Sequence, residues 1–194
     1  GHGRTGDVDR PFSFEQSADD TAALLKYLNV EKADFYGYSN GGNIAMQMAI
    51  RHPEMVRKLV VMSAMFKSDG LYPDVRESIR NGTPENMPPE LREAYLKTAP
   101  NPQDLPTFVS KSIRRMMDFK DWAPSVIASI KAPTLIIIGD RDIVRPEHAV
   151  EMYRLFPHGQ LAIFPASDHM TIINRADLLL KIIPQFLDMP MAKD

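Results

Sequence analysis

The amino-acid sequence predicts an α/β fold: a mostly parallel sheet covered by helices on both faces, with a helical cap insertion. Three observations predict it. Short apolar runs alternate with helical patterns along the chain, as in sheets built from strand–helix–strand units. Two of those runs, 58–63 and 132–139, are almost continuously apolar rather than alternating, the mark of parallel strands buried on both faces. From 64 to 130 the strand signal stops, and Pro73, Pro84, Pro88, Pro89, Pro100, Pro102 and Pro106 separate short helical patterns. The expected division is a core of 1–63 and 131–194 and a cap of 64–130.

A length of 194 residues suits one domain with a sizeable core. Hydrophobic residues make up 44% and charged residues 25%, ordinary for a globular protein. The net charge of −2 gives no pull towards nucleic acid or an anionic membrane surface. No apolar run is long enough to span a bilayer. With no cysteine, disulfides, thiolate catalysis and thiolate metal sites are excluded. Several of the 12 methionines fall between 62 and 117, where they suit an adaptable apolar pocket and loose core packing equally well.

Taken in order, the first helix follows Phe12-Ser13-Phe14. Ser13 stands as N-cap with Gln16 three residues on, the capping-box spacing. Ala18, Leu24, Leu25 and Leu28 supply an apolar side at helical spacing. The adjacent carboxylates Asp19 and Asp20 diverge by about 100° around that helix, so they read as a solvated face rather than a metal pair. The stretch 33–38 is a short aromatic strand. It runs into Gly37-Tyr38-Ser39-Asn40-Gly41, which fits G-x-S-x-G, the nucleophile elbow of a strand–turn–helix. The reason for the spacing is steric: a serine in a strained turn needs neighbours without a Cβ to clash. The helix that follows points its N-terminus at any oxyanion formed there.

That helix is apolar on most sides (Ile44, Ala45, Met48, Ala49, Ile50) and ends at Arg51-His52-Pro53, where the proline forces its predecessor out of the α region. His52 reads as a capping or surface residue. After the 58–63 strand, 89–97 and 107–119 read as helices of the insertion. Its candidate pocket residues are Met65, Phe66, Leu71, Met116, Met117, Phe119 and Trp122, joined by Tyr38 beside the serine; plain packing of insertion on body explains each of them as well. The sheet resumes at 132–139. A helix from Pro146 to Phe156 follows, with proline well placed in its first turn. A strand over 160–164, the loop Pro165-Ala166-Ser167-Asp168-His169 and a helix over 177–187 complete the order.

Chemical groups in open α/β sheets collect at the carboxyl ends of strands. Ser39, Asp142 and His169 each follow a predicted strand directly, in the order nucleophile, acid, base. Asp140 competes with Asp142 for the acid role. An Asp-x-Asp pair with only His148 nearby makes no metal site. Asp168 reads as a local loop residue, because adjacent side chains rarely face each other; His148 and His158 read as surface.

With these residues in this order, the chain resembles the α/β-hydrolase superfamily, in its serine branch with a helical cap. The opening Gly1-His2-Gly3-Arg4-Thr5 resembles the superfamily's G-H-G-[RK]-[ST] loop, in which the histidine is structural. The resemblance favours Asp142, because its G-x-x-D pattern matches Gly139 and Asp142. It makes the Asn40 N–H one oxyanion donor. Relatives with aspartate or cysteine at the elbow are disfavoured by Ser39. What it implies is a serine hydrolase cleaving a carboxylic ester, lactone or thioester of a small molecule without a cofactor, with C–C hydrolase and perhydrolase chemistry still open. The rival from another class is a ligand-binding or receptor-like homologue with little turnover, which a panel of short acyl nitrophenyl esters would separate. Superfamily members also carry strands ahead of the opening loop. The expectation is therefore a natural product extending upstream of Gly1, and a 194-residue chain that alone catalyses poorly and aggregates, self-associates through an open sheet edge or pairs with the missing segment. A cytoplasmic location is expected, with no signal in the sequence to fix it.

Overall fold

A computed structural model describes residues 2–191, so Gly1, the first residue of the opening loop motif, lies outside the described residues. The described chain forms two units, the stretch 14–72 with the residues from Lys120 onward, and the stretch before Phe14 with 73–119.

The first unit holds the sheet. Its strands are β1 (Ala33–Tyr38), β2 (Val56–Met62), β3 (Thr134–Arg141) and β4 (Gly159–Asp168), all parallel and in the order β1-β2-β3-β4. Helices α1 (Phe14–Tyr27), α2 (Asn40–Arg51), α6 (Pro124–Ala128), α7 (Pro146–Leu155) and α8 (Ala176–Asp188) accompany them. The continuous apolar runs are strands covered twice, as predicted. Val60, Met62, Leu135 and Ile137 form one layer with Phe164 and with Leu179 and Phe186 of α8. The alternate residues Leu59, Val61, Ile136 and Ile138 are just as deeply buried, and α2 packs on β1 and β2 while α7 packs on β3 and β4. Lys58 is also buried, at 1% exposure. Its Nζ donates to the carbonyls of Phe186 and Leu187 at 3.0 and 2.8 Å, and to that of Met189, and so caps the C-terminal end of α8.

Two close approaches set the shape of the strand ends. A Cβ on Gly37 would lie 2.1 Å from the carbonyl oxygen of Gly41, so only glycine lets the turn fold back onto β1. A Cβ on Gly139 would lie 2.0 Å from the carbonyl oxygen of Ser167, where β4 shifts register between Gly139 and Arg141. β4 therefore runs on through the predicted loop; Pro165 is tolerated because β4 pairs only with β3 among the described residues. β1 likewise pairs only with β2 among the described residues, and Tyr36 is exposed, as are Leu24 and Tyr27 of α1 and Leu28 just after it.

The second unit is helical: α3 (Pro73–Arg80), α4 (Pro89–Thr98) and α5 (Leu105–Met117). Tyr95, Leu105 and Val109 form its small core. The opening segment belongs here because the rings of Phe12 and His2 pack on Phe108, at 5.9 and 4.8 Å, and Lys111 pairs with Asp7 at 2.6 Å. Stretches 64–72 and 120–130 group instead with the sheet unit. Asn43 Nδ2 donates to the Met65 carbonyl at 2.6 Å, the Trp122 N–H to that of Phe66 at 2.8 Å, and the Arg145 N–H to that of Gly70 at 2.8 Å. The unit built on helices thus starts and stops about ten residues inside the 64–130 expected from the sequence. Among the described residues no helix is long and apolar enough to cross a membrane.

Candidate active site

Ser39 sits between the last residue of β1 and the first of α2 with φ 53° and ψ −121°. A side chain there is strained by roughly 1–3 kcal/mol and persists because its surroundings fix it. Its N–H donates to the Met62 carbonyl at 2.8 Å, and its own carbonyl accepts the N–H of Gly42 at 2.9 Å. The turn leaves Ser39 Oγ 3.1 Å from His169 Nε2, and His169 Nδ1 lies 2.8 Å from Asp142 Oδ1. The carboxylate has no exposed surface and the imidazole is 14% exposed. A buried acceptor at Nδ1 places the ring proton there and leaves Nε2 free to accept from the serine hydroxyl. Three residues that stand 103 and 27 positions apart are thus brought into one hydrogen-bonded line.

Asp142 is fully provided for. Oδ1 accepts from His169 and from the Val144 N–H at 3.1 Å, and Oδ2 accepts from Ser63 Oγ at 2.5 Å. Burial pushes its carboxyl up; His169, Ser63 and Val144 together outweigh that and hold it below the usual carboxylate range. Asp140 has a different task. Its carboxylate accepts the Ser167 N–H at 3.1 Å and ties down the irregular part of β4. Backbone N–H groups of Ala166 and Ser167 lower its pKa. Asp168 accepts the N–H groups of Met170 and Thr171 at 2.9 and 2.7 Å, closing the turn that presents His169.

Tyr38 supports the histidine from beneath. Its hydroxyl donates to the His169 carbonyl, and its ring lies 5.0 Å from the imidazole at 34°. Burial, helped by the Asp142 charge, pushes the phenol up to about 12. Asn40 opens α2, where backbone N–H groups have no intrahelical acceptor.

The remaining pocket candidates fall in several places. Met65, Phe66 and Trp122 lie in the sheet unit and are all buried, Phe66 completely. Leu71 is buried in a bridge with Val144. Met116 and Met117 are half-buried on α5 in the helical unit. There Met117 lines a hollow of about 410 Å³ with Gly82, Pro106, Val109 and Ile113.

One expectation is overturned. His148 is not a surface residue but 1% exposed. Its Nε2 accepts the Phe66 N–H at 3.2 Å and its ring stacks on Phe66 at 4.7 Å, so burial pushes its pKa down. The spacing of His148, Ala149 and Met152 on one side of α7 carried the signal. Sequence reasoning also passed over Ser63 and Asn43, both buried polar residues beside the site. A polar residue ending the apolar β2 run, just as Ser39 ends β1, was the available clue. Among the described residues no group of three or more His, Asp or Glu is placed to hold a metal ion.

The family described as serine aminopeptidase, S33, matches residues 1–176. The chain belongs to it. It is thus a hydrolase of the α/β-hydrolase superfamily. Among curated relatives, the AB hydrolase superfamily protein YisY of Bacillus subtilis is 28% identical over 210 residues, covering 93% of this chain and 77% of that protein. Serine hydrolase BPHL of Mus musculus is 25% identical over 195 residues, covering 96% of this chain and 66% of that protein. The chain spans about two thirds to three quarters of the length of such relatives. In fold it is similar to the enol-lactonase of Burkholderia xenovorans LB400, with a TM-score of 0.72 at 20% identity over 97% of this chain and 78% of that one.

Proposed function

We propose that this α/β-hydrolase cleaves a carboxylic ester, or the related lactone or thioester, of a small molecule through an acyl-enzyme on Ser39. The observation that carries the reading is the hydrogen-bonded line from Ser39 Oγ through His169 to the buried Asp142 carboxylate. His169 Nε2 takes the hydroxyl proton as Ser39 Oγ attacks the acyl carbon. The tetrahedral oxyanion is stabilised by the Asn40 N–H. Collapse breaks the bond to the leaving group, which receives the proton from Nε2. Asp142 holds the ring and stabilises its cationic form during the transfer. Water, deprotonated by His169, then attacks the acyl carbon, and Ser39 leaves with the proton returned. No step uses a cofactor. The name of one relative, a serine hydrolase, supports the reading, and Met116 and Met117 are the proposed specificity residues.

The test is labelling with a fluorophosphonate, followed by peptide mapping. Modification is expected at Ser39 alone, absent in Ser39→Ala, together with turnover of short p-nitrophenyl esters. Labelling without turnover would favour a receptor-like homologue, and labelling that persists in Ser39→Ala would remove the assignment.

A further inference from the structure

β1 and β2 end alike. Tyr38 and Met62 are register partners, so Ser39 and Ser63 are the first residues beyond two neighbouring strands. Both have positive φ, 53° and 54°. Both N–H groups continue the ladder onto the next strand, Ser39 to the Met62 carbonyl at 2.8 Å and Ser63 to the Ile137 carbonyl at 2.9 Å. The fold therefore builds the strained serine turn twice in adjacent places. At the first the hydroxyl meets His169. At the second it meets the far oxygen of Asp142, at 2.5 Å, with Ser63 only 3% exposed.

Three features make this second serine more than filler. Among the described residues Ser63 is the donor to Asp142 Oδ2, whereas Oδ1 has two. A buried carboxylate oxygen left without a donor is costly, and a hydrogen bond to a charged group is about twice as strong as a neutral one. The strained backbone is held from outside, since Asn43 on α2 clamps Met65 two residues on, with Nδ2 2.6 Å from the Met65 carbonyl. A φ near +54° that glycine would adopt freely is instead occupied by a residue whose hydroxyl has one target.

We propose that Ser63 is a positioning residue for the hydrolytic reaction: its hydroxyl pins Oδ2 of Asp142, so that the carboxylate stays ionised and Oδ1 faces His169. The inference rests on the Ser39–His169–Asp142 reading above. Without the hydroxyl the carboxylate can rotate, and Oδ2 competes with Oδ1 for the Nδ1 proton. The titratable groups facing that carboxylate are His169 and Tyr38.

The experiment compares the unaltered chain with Ser63→Ala, Ser63→Gly and Asp142→Asn. It measures the rate of Ser39 modification by an alkyl fluorophosphonate against pH, the melting temperature, and the far-downfield proton resonance of the His169 Nδ1–H. Ser63→Ala should slow modification about tenfold and move the acid limb of the pH profile to higher pH. Ser63→Gly should slow it equally while melting no lower than Ser63→Ala, because glycine relieves the backbone strain as the hydroxyl is lost. Both should shift the Nδ1–H resonance, a readout that needs no reaction. An unchanged resonance in both variants, or a Ser63→Gly rate equal to that of the unaltered chain, would overturn the role of the hydroxyl. If Asp142→Asn slows modification and the Ser63 variants do not, Ser63 alone fails. If Asp142→Asn has no effect either, the underlying triad reading falls with it.

Discussion

The sheet unit and the helical unit differ in how many polar residues they bury: the helical unit buries Arg115 of α5, the sheet unit a whole group. In the sheet unit Asn43, Ser63, Asp142 and His148 are each no more than 3% exposed, and each is hydrogen-bonded to a segment far away in the chain. In the helical unit α3 buries no residue and α4 only Tyr95. A side chain at a strand end with two or three buried partners can be held to a fraction of an ångström, as proton transfer demands. A short helix anchored by one ring has little buried contact to hold it in place. The contrast is between a unit whose buried polar groups are fixed by distant partners and a unit whose helices bury little.

Asp142→Asn should break the sheet unit's site most severely. The amide donates where the carboxylate accepted, so the imidazole proton moves to the wrong nitrogen, and turnover of p-nitrophenyl butyrate should fall about ten-thousandfold with the fold intact. Asp140→Asn, which touches only the backbone of β4, should stay within about tenfold. Steady-state kinetics on the two variants decide; the reverse ranking would move the acid to Asp140.

His148 sharpens the comparison through stability. Its folded-state pKa is lowered by burial, so below the ordinary histidine pKa of about 6.5 the unfolded chain binds a proton that the folded chain refuses. Stability contributed by the neutral ring is present above that pKa and is lost as pH falls below it. The melting temperature should therefore drop between pH 7 and pH 5, and drop less in His148→Gln, as differential scanning calorimetry at both pH values would reveal. An equal drop in both would place the sensitive group elsewhere.

The smallest effect should come from the helical unit. Met116→Ala and Met117→Ala should change the preference between acetate and octanoate nitrophenyl esters several-fold while leaving the melting temperature within a few degrees. A uniform loss on all esters with a lowered melting temperature would show both methionines to be simple core.

What was legible in the sequence was whatever is encoded locally. The elbow announces itself because glycines two residues either side of Ser39 are a steric requirement of the turn. The doubly covered strands show in the unbroken apolar run of 135–138, and the order of Ser39, Asp142 and His169 at strand ends follows from them. The rest depends on partners distant in sequence. Nothing near His148 announces that Phe66 will stack on it from 82 positions away. The helical unit spans less than 64–130 because hydrogen bonds from Asn43, Trp122 and Arg145 tie 64–72 and 120–130 into the sheet unit, and such partners are not visible locally. The sequence ends β4 before Pro165, which looks like a breaker, but β4 pairs only with β3 among the described residues and so tolerates it.

Lys58 has a bearing on the order of events as the chain leaves the ribosome. Its ammonium is buried, and its acceptors are carbonyls 128 to 131 positions downstream. Until residue 189 has emerged, β2 cannot be sealed without stranding a charge in an apolar layer. Strand β2 of a vectorially synthesised chain is thus obliged to wait for α8. A chain released before Met189 would present a half-closed sheet to the quality-control machinery rather than a smaller version of the native protein.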